Sequence, residues 1–173
     1  RIKVIYGLEG YLYDDTVQDA GSRPQTYHII ILARTQEGLR NIYELVTIAH
    51  LHHFYRVPRI PRSELIRLRG GLLLGTACEA GELIRAYLRG ASEEELERIA
   101  SFYDYLEIQP RGNNNFLLEN GTFRSEEELL QMNIDIYKLG KKLGKPVVAT
   151  GDVHFLDPED EVYRRILMTG KGF

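Results

Sequence analysis

The chain has 173 residues, a formal net charge of −3 and one cysteine. Its 43% hydrophobic and 27% charged content is typical of a globular domain with a substantial core. A single cysteine excludes an internal disulfide framework. The negative net charge excludes a positive field over the whole protein that would attract nucleic acid, so any nucleic-acid contact needs a local basic patch. The cysteine usage and the absence of a leader-like or membrane-spanning apolar run predict a cytoplasmic protein that does not contact a membrane.

Apolar patterning predicts an α/β fold. Segments rich in Val, Ile, Leu or Tyr predict strands over residues 3–13, 27–33, 71–77, 103–109 and 146–153. Helical spacing predicts helices over 37–53, 82–88, 93–102 and 159–168, and two capping boxes, Ser92 with Glu95 and Ser125 with Glu128, each open a helix. The alternation after residue 27 predicts a largely parallel sheet or barrel covered by helices. Residues 14–25 are expected to form an exposed linker, and 111–124 an exposed, mobile loop.

The segment 147–154 contains a carboxylate and an imidazole directly after an apolar run. The run opens after Pro146 and is interrupted at Gly151, a pattern typical of a short, fully buried strand. Asp152 and His154 follow, and residues two apart on an extended backbone point to the same side. Since chemistry in parallel α/β folds occurs beyond the carboxyl ends of strands, the pair is a candidate ligand set for Zn²⁺, Mn²⁺ or Fe. A helix-capping aspartate beside a histidine bonded within a loop is an equally good interpretation.

Four further residues with metal-binding side chains lie near predicted strand ends or on a helix: Glu9, His28, His50 and Cys78. Such a donor set has the borderline softness that suits zinc or manganese. Glu9 is the hardest to explain otherwise, because an unpaired carboxylate within a strand is costly to bury. His50, on the apolar face of its predicted helix, and Cys78 are also consistent with core packing.

Residues 50–62 interleave aromatic side chains with three arginines, and two prolines hold the backbone extended. One interpretation is a loop that contacts phosphate or nucleic acid. The alternative, which we favour slightly, is a rigid connector whose arginines pack against a neighbouring domain.

Several strings connect this chain to a known family. In chain order they occupy residues 27–33, 38–41, 50–51, 54–63, 71–78, 102–110 and 146–154. They resemble the PHP (polymerase and histidinol phosphatase) domain, in the version carried by the α subunit of PolC-type bacterial replicative DNA polymerases. The resemblance covers nearly the whole chain and is weakest over 111–124.

The resemblance implies a distorted (β/α)7 barrel with two or three Zn²⁺ or Mn²⁺ ions at the carboxyl ends of its strands. The ligands that it implies here are Glu9, His28, Cys78, Asp152 and His154, with His50 as a weaker addition. It further implies metal-assisted hydrolysis of a phosphoester or pyrophosphate, with Asp152 and His154 as catalytic residues.

The resemblance also implies features that this sequence lacks. The family's His-x-His and Asp-His motifs are expected before Arg1, so that this chain alone is expected to bind metal incompletely. A proofreading exonuclease domain is expected between the first two strands, whereas residues 14–25 join them directly; we interpret 14–25 as the site of that missing insertion. Residues 168–173 are expected to lead out toward a polymerase core.

These implications predict that residues 1–173 are the PHP domain of a replicative DNA-directed DNA polymerase. Such a parent protein would use Mg²⁺ for nucleotide addition and contact DNA, dNTPs, the sliding clamp and other replisome subunits. One alternative is a catalytically inactive barrel that braces the polymerase. A second is a free-standing PHP phosphatase, which the string at 54–63 disfavours because it resembles the polymerase branch.

Overall fold

The computed structural model describes residues 2–16 and 25–170, which form a mixed α/β domain. The strands of this part are β1 Gly7–Tyr13, β2 Thr26–Ala33, β3 Phe54–Tyr55, β4 Val57–Pro61, β5 Leu72–Gly75, β6 Leu106–Ile108 and β7 Val147–Ala149. Its helices are α1 Gln36–Leu51, α2 Arg62–Arg67, α3 Glu82–Leu88, α4 Glu93–Phe102, α5 Phe116–Glu119, α6 Glu126–Lys142 and α7 Glu161–Gly170. Short 3₁₀ helices cover Arg111–Asn114 and Pro158–Asp160.

The strands form a five-stranded sheet of order β3-β4-β1-β2-β5 and a two-stranded sheet of β6 and β7. The prediction of a largely parallel sheet is wrong for the larger one, since β1 pairs antiparallel with β2, β2 with β5 and β3 with β4. Among the strands of the described ranges, the pairs β1–β4 and β6–β7 are the parallel ones. The sequence pattern did not reveal β3, β4 or α2, and through these elements the chain reverses before it enters β5.

The two sheets approach each other where the end of β5 lies beside the start of β6. A parallel bridge between Gly75 and Tyr105 joins the end of β5 to the residue before β6. Within the described ranges the sheets do not close into a barrel.

The helices cover a single apolar core. Leu12 and Ile29 from the sheet, Leu45 from α1 and Leu129 and Ile136 from α6 are among its residues, all of them 0–1% exposed. The two predicted capping boxes mark helix starts correctly: the Ser92 hydroxyl accepts from the Glu95 backbone N–H, and the Ser125 hydroxyl from that of Glu128. Each bond gives an acceptor to a first-turn backbone N–H that has no partner within the helix, which fixes where α4 and α6 begin.

Two expectations about individual segments need correction: one strand is shorter and more exposed than predicted, and one loop, although mostly exposed, contains regular structure. The strand predicted over 146–153 is only three residues long, and Val148 in it is 37% exposed, because β7 lies at the edge of its sheet with a β-partner on one side among the described residues. Residues 111–124 are not a simple exposed loop: they contain a 3₁₀ turn and α5. Leu117 joins the core and Asn114 is 3% exposed, which anchors the segment.

Among the described residues, none of the helices combines the length and apolar character needed to span a bilayer.

Candidate metal centre

The first group of candidate ligands lies on the paired strands β1 and β2. His28 is the register partner of Tyr11, so Glu9, two residues earlier in β1, is its diagonal neighbour on the same face of the sheet. The His28 Nδ1 atom lies 2.8 Å from Glu9 Oε1, and the Tyr11 ring meets the imidazole edge to face at 5.1 Å between centroids. The alternation of side chains along the strands therefore places a carboxylate and an imidazole side by side.

The loop after β5 brings the only cysteine to the same point. The Cys78 Sγ atom lies 3.4 Å from His28 Nδ1, and the His28 backbone N–H donates to the Ala80 carbonyl at 3.0 Å, which ties this loop to β2. Ala77 has a left-handed backbone (φ 57°), an uncommon conformation for a residue with a Cβ atom, and it turns the chain just before the thiol. Donor atoms of Glu9, His28 and Cys78 all lie within 4.8 Å of one another.

A second group shares the cysteine. Donor atoms of Cys78, Glu79 and Asp152 also lie within 4.8 Å of one another, so the loops after β5 and β7 meet as the sequence analysis expected for two strand ends. Glu79 was missed, because a glutamate in a glycine-containing loop gives no periodic signal. The Gly151 carbonyl accepts from Asn113 Nδ2 at 2.7 Å, which holds the loop after β7 against the 3₁₀ turn at 111–114.

Asp152 and His154 do not point together in the way that the sequence predicted. Asp152 has φ 46°, so the backbone there is left-handed rather than extended, and the two-residue alternation breaks. His154 Nδ1 bonds to the Asp152 carbonyl oxygen at 2.7 Å and lies 3.9 Å from its carboxylate. The imidazole belongs to neither ligand group and lines a shallow cavity with Tyr163 and Arg164 of α7.

His50 also lies outside both groups. It is an exposed residue of α1, its Nδ1 atom bonds to the Val46 carbonyl at 2.8 Å, and its ring contacts Phe54. The apolar-face expectation is wrong, because the buried side of α1 carries Ile42, Leu45 and Ala49.

Arginines of the segment 50–62 make contacts within this domain. The Arg59 guanidinium lies over the rings of Tyr13 (4.9 Å) and Tyr55 (5.4 Å). Arg62 forms a 2.7 Å ion pair with Glu82, and both side chains are 13% exposed. Packing within the domain therefore explains these two. Arg56 stands at the turn of the β3–β4 hairpin with φ 61°, and its guanidinium lies over the Tyr55 ring at 5.7 Å.

The electrostatics of the site favour a cation. Burial raises the pKa of the Cys78 thiol to about 12, and the charges of Glu79 and Asp152 contribute to the rise. Burial also raises the pKa of Glu107, whose carboxylate lies beneath the loop after β5, although the hydrogen bond from Ala77 opposes that rise. A divalent ion would reverse these shifts, because it stabilises thiolate and carboxylate together.

The first group fits a zinc-like ion in chemistry and in the spacing of its sulfur and nitrogen. The 2.8 Å between Glu9 Oε1 and His28 Nδ1 is a hydrogen-bond distance, shorter than the roughly 3.3 Å between two tetrahedral donors, so these two side chains would move apart when an ion binds. Bond lengths of about 2.0–2.1 Å to nitrogen and about 2.3 Å to sulfur place the two donor atoms of a tetrahedral site roughly 3.5 Å apart, close to the Sγ–Nδ1 separation. One nitrogen, one carboxylate oxygen and one sulfur form a set of borderline softness. An ion here would take its remaining ligands from outside this group, and Asp152 and Glu79 are the nearest described candidates on the Cys78 side.

Comparison with known proteins supports the same assignment. The PHP domain family matches residues 1–119. Relatives named DNA polymerase III PolC-type match most of the chain, among them proteins from three different organisms. The relative from Clostridium perfringens is 57% identical over 147 residues (85% of this chain, 10% of the relative). That from Bacillus subtilis is 47% identical over 170 residues (95% and 12%), and that from Caldanaerobacter subterraneus subsp. tengcongensis is 58% identical over 124 residues (72% and 9%).

The chain belongs to the PHP domain family, whose members bind metal ions. It matches the PHP region of PolC-type DNA polymerase III, and it spans about a tenth of the length of the curated relatives that it matches.

Proposed function

We propose that this chain is the PHP domain of a replicative DNA-directed DNA polymerase of the PolC type, and that it contributes ligands to a catalytic metal cluster of the intact protein. The identity of 57% with a polymerase of that name supports the parent protein. The observation that carries the metal cluster is the convergence of Glu9, His28 and Cys78 from three separate strands or loops onto one point. In this proposal the parent is cytoplasmic, adds dNTPs to a DNA primer with Mg²⁺ and contacts the sliding clamp.

The proposed reaction of the domain is metal-assisted hydrolysis of a phosphoester or pyrophosphate. Glu9, His28, Cys78 and Asp152 would hold Zn²⁺ or Mn²⁺, and the bound ions would lower the pKa of a water molecule and neutralise phosphate oxygens. Asp152 is proposed as a catalytic residue because it sits beside the thiol at the end of β7. His154 is proposed with it on the family resemblance alone, since its imidazole lies outside both ligand groups and lines a cavity beside α7.

We further propose that the two sheets are parts of one distorted (β/α)7 barrel. The Gly75–Tyr105 bridge supports a continuous order β3-β4-β1-β2-β5-β6-β7. Residues 14–25 remain the proposed insertion site for an exonuclease domain, supported by the pairing of Tyr13 with Thr26 at the ends of β1 and β2. Residues 17–24, and 171–173 of the proposed lead-out, lie outside the described residues.

Phosphate release from p-nitrophenyl phosphate by the intact protein tests the hydrolase. With Mn²⁺ or Zn²⁺ present, the parent should release phosphate, and His28→Ala should lower both the release and the bound metal to background. His52→Ala is the matched control, because His52 is an exposed residue at the end of α1 outside both ligand groups. His154→Ala tests the second catalytic assignment separately.

Primer extension by the same preparations shows whether the polymerase is intact. Phosphate release that is unchanged in His28→Ala would contradict the site. The alternative, an inactive scaffold domain, is supported by the position of His154 outside both ligand groups. It predicts that no preparation releases phosphate. It also predicts that His28→Ala changes only the thermal stability.

A further inference from the structure

A buried carboxylate that is not one of the candidate ligands lies directly beneath the site. Glu107 is the central residue of β6 and is 5% exposed. Its neighbours in the strand are apolar, so the sequence pattern gives a buried strand that contains one ionisable side chain. Burial of a carboxylate is costly unless hydrogen bonds compensate it, which makes its partners informative.

The partners of Glu107 include the two residues before the cysteine, and its carboxylate also accepts a hydrogen bond from the Tyr105 side chain. Glu107 Oε1 accepts the backbone N–H of Ala77 at 3.1 Å, and the Glu107 backbone N–H donates to the Thr76 hydroxyl at 2.9 Å. Both bonds are buried and connect residues about 30 positions apart in the chain. Glu107 thus fixes residues 76 and 77 at the start of the loop after β5, and the bond from His28 to Ala80 fixes the same loop two residues after the cysteine.

The backbone at this point adopts a conformation that needs support. Ala77 is left-handed, and the next side chain is the thiol that faces His28. A residue with a Cβ atom keeps such a conformation only where its surroundings determine it. The close approach of Glu107 also depends on Gly75, since a Cβ atom there would lie 2.5 Å from Glu107 Oε1.

The same strand supports the other loop of the site. β6 pairs with β7, and the Ile108 carbonyl accepts the Thr150 N–H at 3.0 Å, two residues before Asp152. The two loops that carry Cys78 and Asp152 are therefore both bonded to consecutive residues of β6. This arrangement is typical of the outer shell that orients metal ligands.

We propose that Glu107 is a positioning residue for the metal centre: by accepting the Ala77 N–H it holds the left-handed turn that aims the Cys78 thiol at Glu9 and His28. The proposal rests on the metal centre proposed above, and assigns to Glu107 a role in thiolate ligation rather than ligation itself. In this proposal the side chain at position 107 needs an oxygen that accepts the Ala77 N–H, and it does not need a negative charge.

Cobalt titration of the intact protein tests this role. Co²⁺ replaces Zn²⁺ in such sites, and its sulfur-to-metal charge-transfer absorption reports thiolate ligation independently of any activity. Cys78→Ser identifies the part of the absorption that this site contributes. Glu107→Ala should weaken Co²⁺ binding by roughly 10–100-fold and remove that absorption at stoichiometric metal. Glu107→Gln retains an acceptor oxygen and should keep both.

Asp104→Ala is the matched control. Asp104 Oδ2 accepts the Leu74 N–H at 2.6 Å, so it joins the same two chain segments, also 30 residues apart, without touching the turn at Ala77. This variant should lower the melting temperature and leave the cobalt–thiolate absorption in place. Glu107→Ala, in contrast, should lose the cobalt–thiolate absorption.

Three results would overturn the proposal. If Glu107→Ala keeps the affinity and absorption while it melts earlier, as Asp104→Ala does, then Glu107 only stabilises the fold. If Glu107→Gln folds and loses the absorption, then its charge matters and not its acceptor oxygen; this variant also decides the question should Glu107→Ala fail to fold. If the parent has no absorption that Cys78→Ser removes, the metal centre itself is wrong, which is a separate failure from that of Glu107.

Discussion

Removal of the Glu82 carboxylate should destabilise the domain far more than removal of a surface carboxylate. The Arg62 guanidinium lies 2.7 Å from Glu82, 3.3 Å from Asp14 and over the Phe102 ring at 4.6 Å. Glu82 also accepts the hydroxyl proton of the buried Tyr103 at 3.0 Å. Glu82→Ala therefore leaves a largely buried cation and a buried hydroxyl without their main partner.

The expected cost follows from that burial. Loss of one partner of a buried ion pair costs about 3–5 kcal/mol, and the lower end applies because Asp14 remains beside Arg62. A loss of about 3 kcal/mol lowers the melting temperature of a chain of this length by roughly 6–12 °C. Urea unfolding can be followed by tyrosine fluorescence, since the chain has 11 tyrosines and no tryptophan.

Glu44→Ala is the control for this prediction. Glu44 pairs with Arg67, both side chains are about half exposed, and Arg67 keeps a second partner in Glu64. An exposed pair of this kind contributes about 0–1 kcal/mol. Equal losses of unfolding free energy in Glu82→Ala and Glu44→Ala would refute the argument from burial.

Two further predictions concern protonation. Asp15 accepts from the backbone N–H and the hydroxyl of Ser63; burial opposes ionisation, but these bonds outweigh it and lower the pKa of Asp15. Because the pKa of Asp15 is lower in the folded chain than its unfolded value of 3.8, ionised Asp15 stabilises the fold above pH 3.8. This contribution disappears as the pH falls through the folded-state pKa. In urea unfolding at acid pH, Asp15→Asn should therefore lose less stability than the parent as the pH falls through this range. A parent and variant that decline in parallel would exclude this role. The Cys78 thiol, with its pKa raised to about 12, should react with iodoacetamide at pH 8 roughly 100-fold or more slowly in the folded, metal-free chain than in urea, and equal rates would contradict its burial.

Local chemistry made several elements predictable. Apolar spacing and a serine cap gave the bounds of α4 at residues 93–102, and α3 was predicted equally well at 82–88. The same signals placed α6 behind Ser125. These features depend on neighbours within one helical turn, which is why sequence alone reveals them.

Nonlocal pairing was not predictable. The antiparallel partners of β2 are set by residues far along the chain, and β3 and β4 are too short to show an alternating pattern. The left-handed backbone of Asp152 has no sequence signal, because aspartate adopts it only in suitable surroundings. The extended-strand argument for His154 therefore failed, and β7 ends at Ala149 rather than at residue 153.

For the candidate site, residue chemistry predicted more than spacing did. Glu9 was singled out because a carboxylate buried within a strand requires a partner; its side chain is 53% exposed, so the burial argument was wrong, although Glu9 does pair with His28. The same reasoning applies to Glu107, a carboxylate within an apolar strand, and would have found it. Glu79 offered no such signal, since its contribution depends on how the loop after β5 folds over Asp152.

Anomalous X-ray diffraction at the zinc edge, from crystals of the intact protein, tests the metal centre most directly. We expect a peak about 2.0–2.3 Å from a carboxylate oxygen of Glu9, from Nδ1 of His28 and from Sγ of Cys78. The same map recorded at the manganese edge distinguishes the two metals. A fully zinc-loaded crystal with no anomalous peak at these three side chains would contradict the metal centre.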